Sequence, residues 1–114
     1  MKLWQPEIPL GIYYAVVNIG ATSTIVIGRP NQQIVLISCG LTVGTNCSLT
    51  WQTSTGAIGI FGPSPITATG GYILPFNAGG WCQTAIGDSL ILSPSPSASV
   101  GGGISYVWVE QPGN

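Results

Sequence analysis

The stretch GGWCQTAIGDSLILS, residues 79–93, carries the clearest turn signal in the chain. Two segments able to form strands flank the pair Gly87-Asp88. Glycine adopts positive φ without steric cost, and an aspartate side chain accepts hydrogen bonds from nearby backbone, as a tight turn requires. The stretch therefore predicts a β-hairpin with its corner at Asp88, one of the few charged residues in the chain.

Charge is scarce throughout the sequence. The chain has 114 residues and a mass of 11.7 kDa, which fits one domain. Charged residues make up 4% of it, against roughly 25% in ordinary soluble proteins. A folded monomer of this mass exposes about 5,900 Å², which two basic and three acidic residues cannot cover. With a mean hydropathy of +0.45, the composition favours a protein whose surface is partly buried by partners.

The same composition argues against two classes of partner. Lys2 and Arg29 are the only basic residues, so no surface can follow a phosphate backbone and we expect no nucleic-acid binding. The longest aliphatic run, Ile34–Ile37, is far shorter than the ~20 residues of a membrane-spanning helix. Polar residues from Gln5 to Glu7 interrupt any signal-peptide core. We therefore expect that the protein is made in the cytoplasm and does not associate with membranes.

No pattern of catalytic or metal-binding residues is visible. The chain contains no histidine, which removes histidine-based triads and histidine metal sites. Its three carboxylates lie in the N-terminal segment, in a turn and at the end of the last strand. The three cysteines have no metal-ligand spacing and are expected to be free buried thiols: Cys39, Cys47 and Cys82. We expect no enzyme activity, no cofactor and no metal.

Alternating apolar residues between turn signals predict an all-β fold. The most regular pair of strands is Gln33–Val43 and Cys47–Gln52, which we expect to form a hairpin around residues 44–46. Its buried face would carry Leu41, Val43, Leu49 and Trp51. About eight short strands, with turns every ~8–12 residues, predict a jelly-roll-like β-sandwich without long helices.

The N-terminal segment differs from the rest. Residues 1–10 contain Pro6 and Pro9, which exclude helix and central-strand structure, yet they are rich in apolar side chains. We predict an extended N-terminal arm over residues 1–10, a sandwich domain over 11–110 and a polar tail over 111–114. Whether the arm packs on its own domain or on a neighbouring subunit stays open. The predicted partner-binding residues of the arm are Leu3, Trp4, Pro6, Ile8 and Leu10.

The first and last strands are apolar on both faces. These strands are predicted at Gly11–Ile19 and Gly103–Glu110. A single core covers only one face of each strand, so the second face must meet the arm or another chain. A closed homo-oligomer is the usual arrangement that covers such a face. The residues assigned to the subunit interface are Tyr13, Val17, Val107 and Val109.

The last 40 or so residues show a family resemblance. Leu74-Pro75-Phe76-Asn77, Gly80-Trp81, Gly87-Asp88-Ser89-Leu90, Ser99-Val100-Gly101-Gly102 and Ile104-Ser105-Tyr106-Val107 stand in this order. The segment resembles a pattern in small structural proteins of tailed bacteriophages, among them capsid decoration (cement) proteins. That resemblance implies a β-sandwich that forms homotrimers and clamps neighbouring subunits of the major capsid protein on the capsid surface of the virion. It brings no catalytic residues.

Two functions remain open at this stage. A capsid decoration protein fits the apolar arm, the two-sided apolar strands and the missing charge. A receptor- or glycan-binding module of a phage tail or fibre is the alternative, because tryptophan rings can stack on sugars. The residues available for that role are Trp4, Trp51, Trp81 and Trp108. Core or interface positions are the more usual role of such residues.

Overall fold

A computed structural model describes residues 11–110. Within them the chain forms nine β-strands and one short 3₁₀ turn, Thr55–Ala57. The strands are β1 (Ile12–Ile19), β2 (Ser23–Val26), β3 (Gln32–Val43), β4 (Cys47–Thr53), β5 (Ile58–Ile66), β6 (Gly71–Leu74), β7 (Cys82–Gln83), β8 (Leu90–Ser95) and β9 (Val100–Glu110). The predicted N-terminal arm and C-terminal tail lie outside the described residues.

The strands form two antiparallel sheets packed face to face. Sheet A has the order β1-β9-β3-β6, with β7 also paired to β3, and sheet B has the order β2-β8-β4-β5. This arrangement confirms the predicted all-β sandwich. Most connections cross from one sheet to the other, and only β4–β5 and β6–β7 stay within a sheet. The jelly-roll-like arrangement of these strands stays a prediction from the sequence.

The core lies between the sheets and contains the residues predicted for it. Leu41 and Val43 on β3 are 1% and 3% exposed, and Leu49 and Trp51 on β4 are fully buried. The predicted hairpin is nevertheless wrong, because β3 belongs to sheet A and β4 to sheet B. Residues 44–46 carry the chain across the sandwich. Alternation with period two identifies which side chains face inward, but it is the same for a hairpin and for two strands facing each other.

A bulge explains the irregular pattern at the start of β3. The pairing of β3 with β9 shifts register between Leu36 and Ser38. Because one extra residue reverses the alternation, Ile34 and Leu36 join the same core as Cys39 and the residues after it. Val35 is also buried, and Gly80 lies so close to its side chain that a Cβ there would collide with it.

The predicted hairpin within residues 79–93 is likewise wrong. Its first strand, β7, pairs with β3 in sheet A, whereas its second strand, β8, pairs with β2 and β4 in sheet B. The turn itself is present, with Gly87 at a φ of 82° and the Asp88 amide donating to the Ala85 carbonyl at 3.1 Å. The turn connects the two sheets instead of two neighbouring strands.

Asp88 is buried at this crossing and serves as a hydrogen-bond acceptor. Its Oδ2 accepts from Thr53 Oγ1 at 2.6 Å and from the Thr55 amide at 2.8 Å, and its Oδ1 accepts from Thr55 Oγ1 at 2.7 Å. These bonds, with that from Thr53 first, hold the pKa of the Asp88 carboxyl below its usual value. The carboxylate thus joins the turn before β8 to the end of β4.

Gly102 marks the closest approach of β9 to β3. It has a φ of 138°, and a Cβ added there would collide with the carbonyl oxygen of Gly40. Gly101 has an ordinary φ, and a Cβ there would meet nothing closer than 3.8 Å. Within the run Gly101–Gly103, only Gly102 must therefore lack a side chain for the backbone to adopt this conformation.

We expect Gly102→Ala to destabilise the fold by at least about 2 kcal/mol, because it combines an unfavourable φ with a backbone collision. Urea denaturation of both variants measures the effect, with Gly101→Ala as the matched control. Equal stability of the two variants would show that β9 does not approach β3 in this way.

Asp88 makes the stability depend on acidic pH. Folding lowers the pKa of the Asp88 carboxyl. Its contribution to the free energy of unfolding is therefore complete above the pKa of an aspartate in the unfolded chain, about 3.9. That contribution is lost as the pH falls through the lower pKa of the folded protein. We expect Asp88→Asn to lower the free energy of unfolding by about 1–3 kcal/mol at neutral pH. The free energy of unfolding of this variant should also change less with pH in the acidic range. Glu110→Gln is the control, because it removes a carboxylate and leaves the hydrogen bonds of Asp88 to Thr53 and Thr55 in place.

Candidate interaction surface

The face of sheet A that points away from sheet B carries exposed apolar side chains at its two sides. We call it the outer face. On β1 it carries Tyr14 and Val16, which are 77% and 84% exposed. On β6 it carries Ile73, which is 66% exposed. Between Val16 and Ile73, the intervening strands β9 and β3 contribute the glycines Gly103 and Gly40.

One row of paired residues runs across all four strands. Val16 is opposite Gly103, Gly103 is opposite Gly40, and Gly40 is opposite Ile73. The two central positions have no side chain, so the row forms a shallow depression between Val16 and Ile73, which we call the glycine groove. The span from β1 to β6 is about 14 Å at the usual strand spacing.

The neighbouring row adds hydroxyl groups but no charge. Tyr14 is opposite Ser105, and Ser105 is opposite Ser38. The Ser38 and Ser105 hydroxyls hydrogen-bond to each other, so they satisfy part of their own hydrogen-bonding capacity. The groove lining consists of apolar and hydroxyl-bearing residues: Tyr14, Ala15, Val16, Ser38, Cys39, Gly40, Gly103, Ile104 and Ser105.

The fold does not require glycine at either position of the groove. A Cβ on Gly40 would make an ordinary contact of 3.6 Å with Ile73, and one on Gly103 would lie 3.4 Å from the Ala15 carbonyl oxygen. Neither residue has a positive φ. Glycine inside a strand weakens it, and it often marks a place where another backbone or a ligand approaches closely. The groove is therefore suited to close contact with a partner.

The predicted interface residues divide between the two faces. Val17 is 1% exposed and lies in the core, so its assignment to a subunit interface is wrong. Tyr13 points to the same side as Val17, although it is 42% exposed because it lies near the end of β1. Val107 and Val109 do belong to the outer face; Val107 is half-buried and Val109 is 39% exposed. The arm residues Leu3, Trp4, Pro6, Ile8 and Leu10 lie outside the described residues.

Sequence reasoning chose the wrong face of β1. Tyr14 and Val16 are the exposed pair, whereas Ala15 and Val17 pack inward. Both faces are apolar, so hydrophobicity did not separate them. Asn18 was the available signal, because it shares the face of Tyr14 and Val16 and is exposed; a polar residue at the end of an apolar face marks the solvent side.

The chemically reactive side chains are placed for structure. The thiols of Cys39, Cys47 and Cys82 are free, as expected. Burial raises the pKa of Cys39 to about 11, and burial together with the nearby Cys39 raises that of Cys82 to about 12. Residues 11–110 contain no cluster of three potential metal-ligating side chains. They also contain no helix long and apolar enough to cross a membrane.

Comparison of the chain with known protein families, curated proteins and solved structures finds no match.

The three thiols should react slowly in the folded protein, because Cys39 and Cys47 are buried and Cys82 is half-buried. At a pH of about 8 we expect all three to react with iodoacetamide much more slowly than a free cysteine, because the thiolate is the nucleophile and its formation is suppressed. Mass spectrometry after timed alkylation measures the rate, and the same chain in urea is the control. Modification of Cys82 at the same rate with and without urea would contradict its placement.

Proposed function

We propose that this protein is a capsid decoration (cement) protein of a tailed bacteriophage. In this proposal it associates with itself, with the homotrimer as the state implied by the sequence resemblance, and binds neighbouring subunits of the major capsid protein on the outside of the virion. The observation that carries the proposal is the outer face of sheet A, an uncharged apolar surface with a glycine groove that the fold itself does not need.

Burial of the outer face would supply the main driving force. Val16, Ile73 and Tyr14 expose most of their side-chain area, and removal of apolar area from water contributes roughly 25 cal/mol per Å². Exposed apolar surfaces of this kind mark interaction sites in soluble proteins. A permanently assembled structural subunit is the class of protein that tolerates such a surface together with 4% charged residues.

The positions of the tryptophans favour this function over the glycan-binding alternative. Trp51 is fully buried in the core, and Trp81 and Trp108 are half-buried and pack against it. A sugar-binding platform needs an aromatic ring face open to solvent. Trp4 lies outside the described residues, and no tryptophan within residues 11–110 is among the exposed large apolar side chains.

A pair of aspartate variants tests the outer face. Val16 and Ile27 are similarly exposed, at 84% and 78%, but Ile27 lies in the connection between β2 and β3, away from the glycine groove. We expect Val16→Asp to abolish self-association and binding to capsids, since a charge would be buried without a partner, and Ile27→Asp to leave both unchanged. Native mass spectrometry and co-sedimentation with capsid shells measure the two properties.

The outcomes separate the candidate functions. Equal loss of self-association and capsid binding in both variants would show that the effect comes from any exposed apolar residue and not from the outer face. A well-behaved monomer of the unchanged chain without affinity for capsid shells would contradict the decoration function. Binding to cell-surface polysaccharide, unaffected by Val16→Asp, would instead support the tail or fibre module. Attachment to capsids should depend weakly on ionic strength, because few charges are available to be screened.

A further inference from the structure

Arg29 and three aromatic rings form a cluster at the end of the sandwich where β1 begins. We call it the arginine–aromatic cluster; it consists of Arg29, Tyr13, Tyr106 and Trp108. The Arg29 guanidinium lies 4.2 Å from the centre of the Trp108 ring and 5.8 Å from that of Tyr13. Tyr106 stacks on Tyr13 at 5.7 Å and meets Trp108 edge-on at 5.9 Å. The four side chains form one continuous surface.

The cluster offers hydrogen-bond donors without a matching acceptor. Within residues 11–110 no carboxylate lies within ion-pair distance of Arg29. The carboxylate of Asp88 is occupied by Thr53 and Thr55. Arg29 is exposed, and its guanidinium lies over aromatic rings instead of an acceptor. Since a guanidinium only donates, the group that completes this cluster is a carboxylate carried by an apolar segment.

We propose that residues 6–10 of this chain dock on the arginine–aromatic cluster, with the Glu7 carboxylate paired to Arg29. The segment precedes Gly11, which directly precedes β1, and the β1–β9 register places that start beside the end of β9 that holds Trp108. Six residues separate Glu7 from Tyr13, so their Cα atoms lie within about 20 Å of each other. The cluster is within reach without any rearrangement of the sandwich.

The composition of the segment fits the cluster. The sequence Pro6-Glu7-Ile8-Pro9-Leu10 has one carboxylate among four apolar residues, and the cluster has one cation among three rings. Glu110, the other candidate carboxylate, lies two residues beyond Trp108 and does not reach ion-pair distance of Arg29. Docking of residues 6–10 would fix the base of the arm on its own subunit and leave Met1–Gln5 to contact a neighbour.

A double-mutant cycle tests the pairing on the full chain, independently of any capsid. The variants are Glu7→Gln, Arg29→Gln and the double variant, compared by urea denaturation with Trp fluorescence. We expect a coupling of about two- to fivefold in the unfolding equilibrium constant, so that the double variant is no less stable than Arg29→Gln alone. The coupling should shrink at about 1 M ionic strength, where the Debye length is about 3 Å.

The matched control is the cycle of Glu110→Gln with Arg29→Gln, which should show no coupling. Additive effects in the Glu7 cycle would overturn the proposal, because loss of the contact between Arg29 and Trp108 alone destabilises without any role for Glu7. Coupling to Glu110 in place of Glu7 would overturn it as well. A Glu7 coupling that increases with protein concentration would assign the segment to a neighbouring copy and contradict docking on the same chain.

Discussion

The pairing of β9 with β3 in the middle of sheet A is the constraint on which the rest of the structure depends. It joins residues that lie between 57 and 78 positions apart in the sequence, from Val43 opposite Val100 to Gln32 opposite Glu110. Its closest point is Gly102, where only the absence of a side chain allows the backbone of Gly40 to approach. Because side chains alternate along both strands, this one register decides which residues of β1, β6 and β7 face the core.

The same register creates the features that carry the functional argument. On the outer face it aligns Gly103 with Gly40, so that two glycines stand between Val16 and Ile73. On the inner face, near the end of β9, the pairing of β9 with β1 aligns Tyr106 with Tyr13. The glycine groove and the arginine–aromatic cluster therefore both depend on β9 and lie on opposite faces of the sheet.

Hydroxyl and amide groups take the place of ion pairs in holding the loops of this weakly charged chain. Around Asp88, Thr53 both donates to the carboxylate and accepts from the Ala85 amide. Ser54 accepts from the Ser89 amide, and Ser89 accepts from the Gly28 amide. This network closes one end of the sandwich by joining three connections. Short polar side chains bind partly buried and exposed backbone amides there without the desolvation cost of further charges.

The sequence by itself determined the fold class and the inward positions of the core, because alternation is a local property. Leu41, Leu49 and Trp51 were recognised as core residues in this way. Only the tertiary structure decided that β3 and β4 lie in different sheets, as do β7 and β8. The reason is that a turn has similar residues whether it joins two neighbouring strands of a hairpin or connects one sheet to the other. It also decided which apolar face of β1 is exposed, because pairing with β9, and not hydrophobicity, turns Val17 inward and Val16 outward.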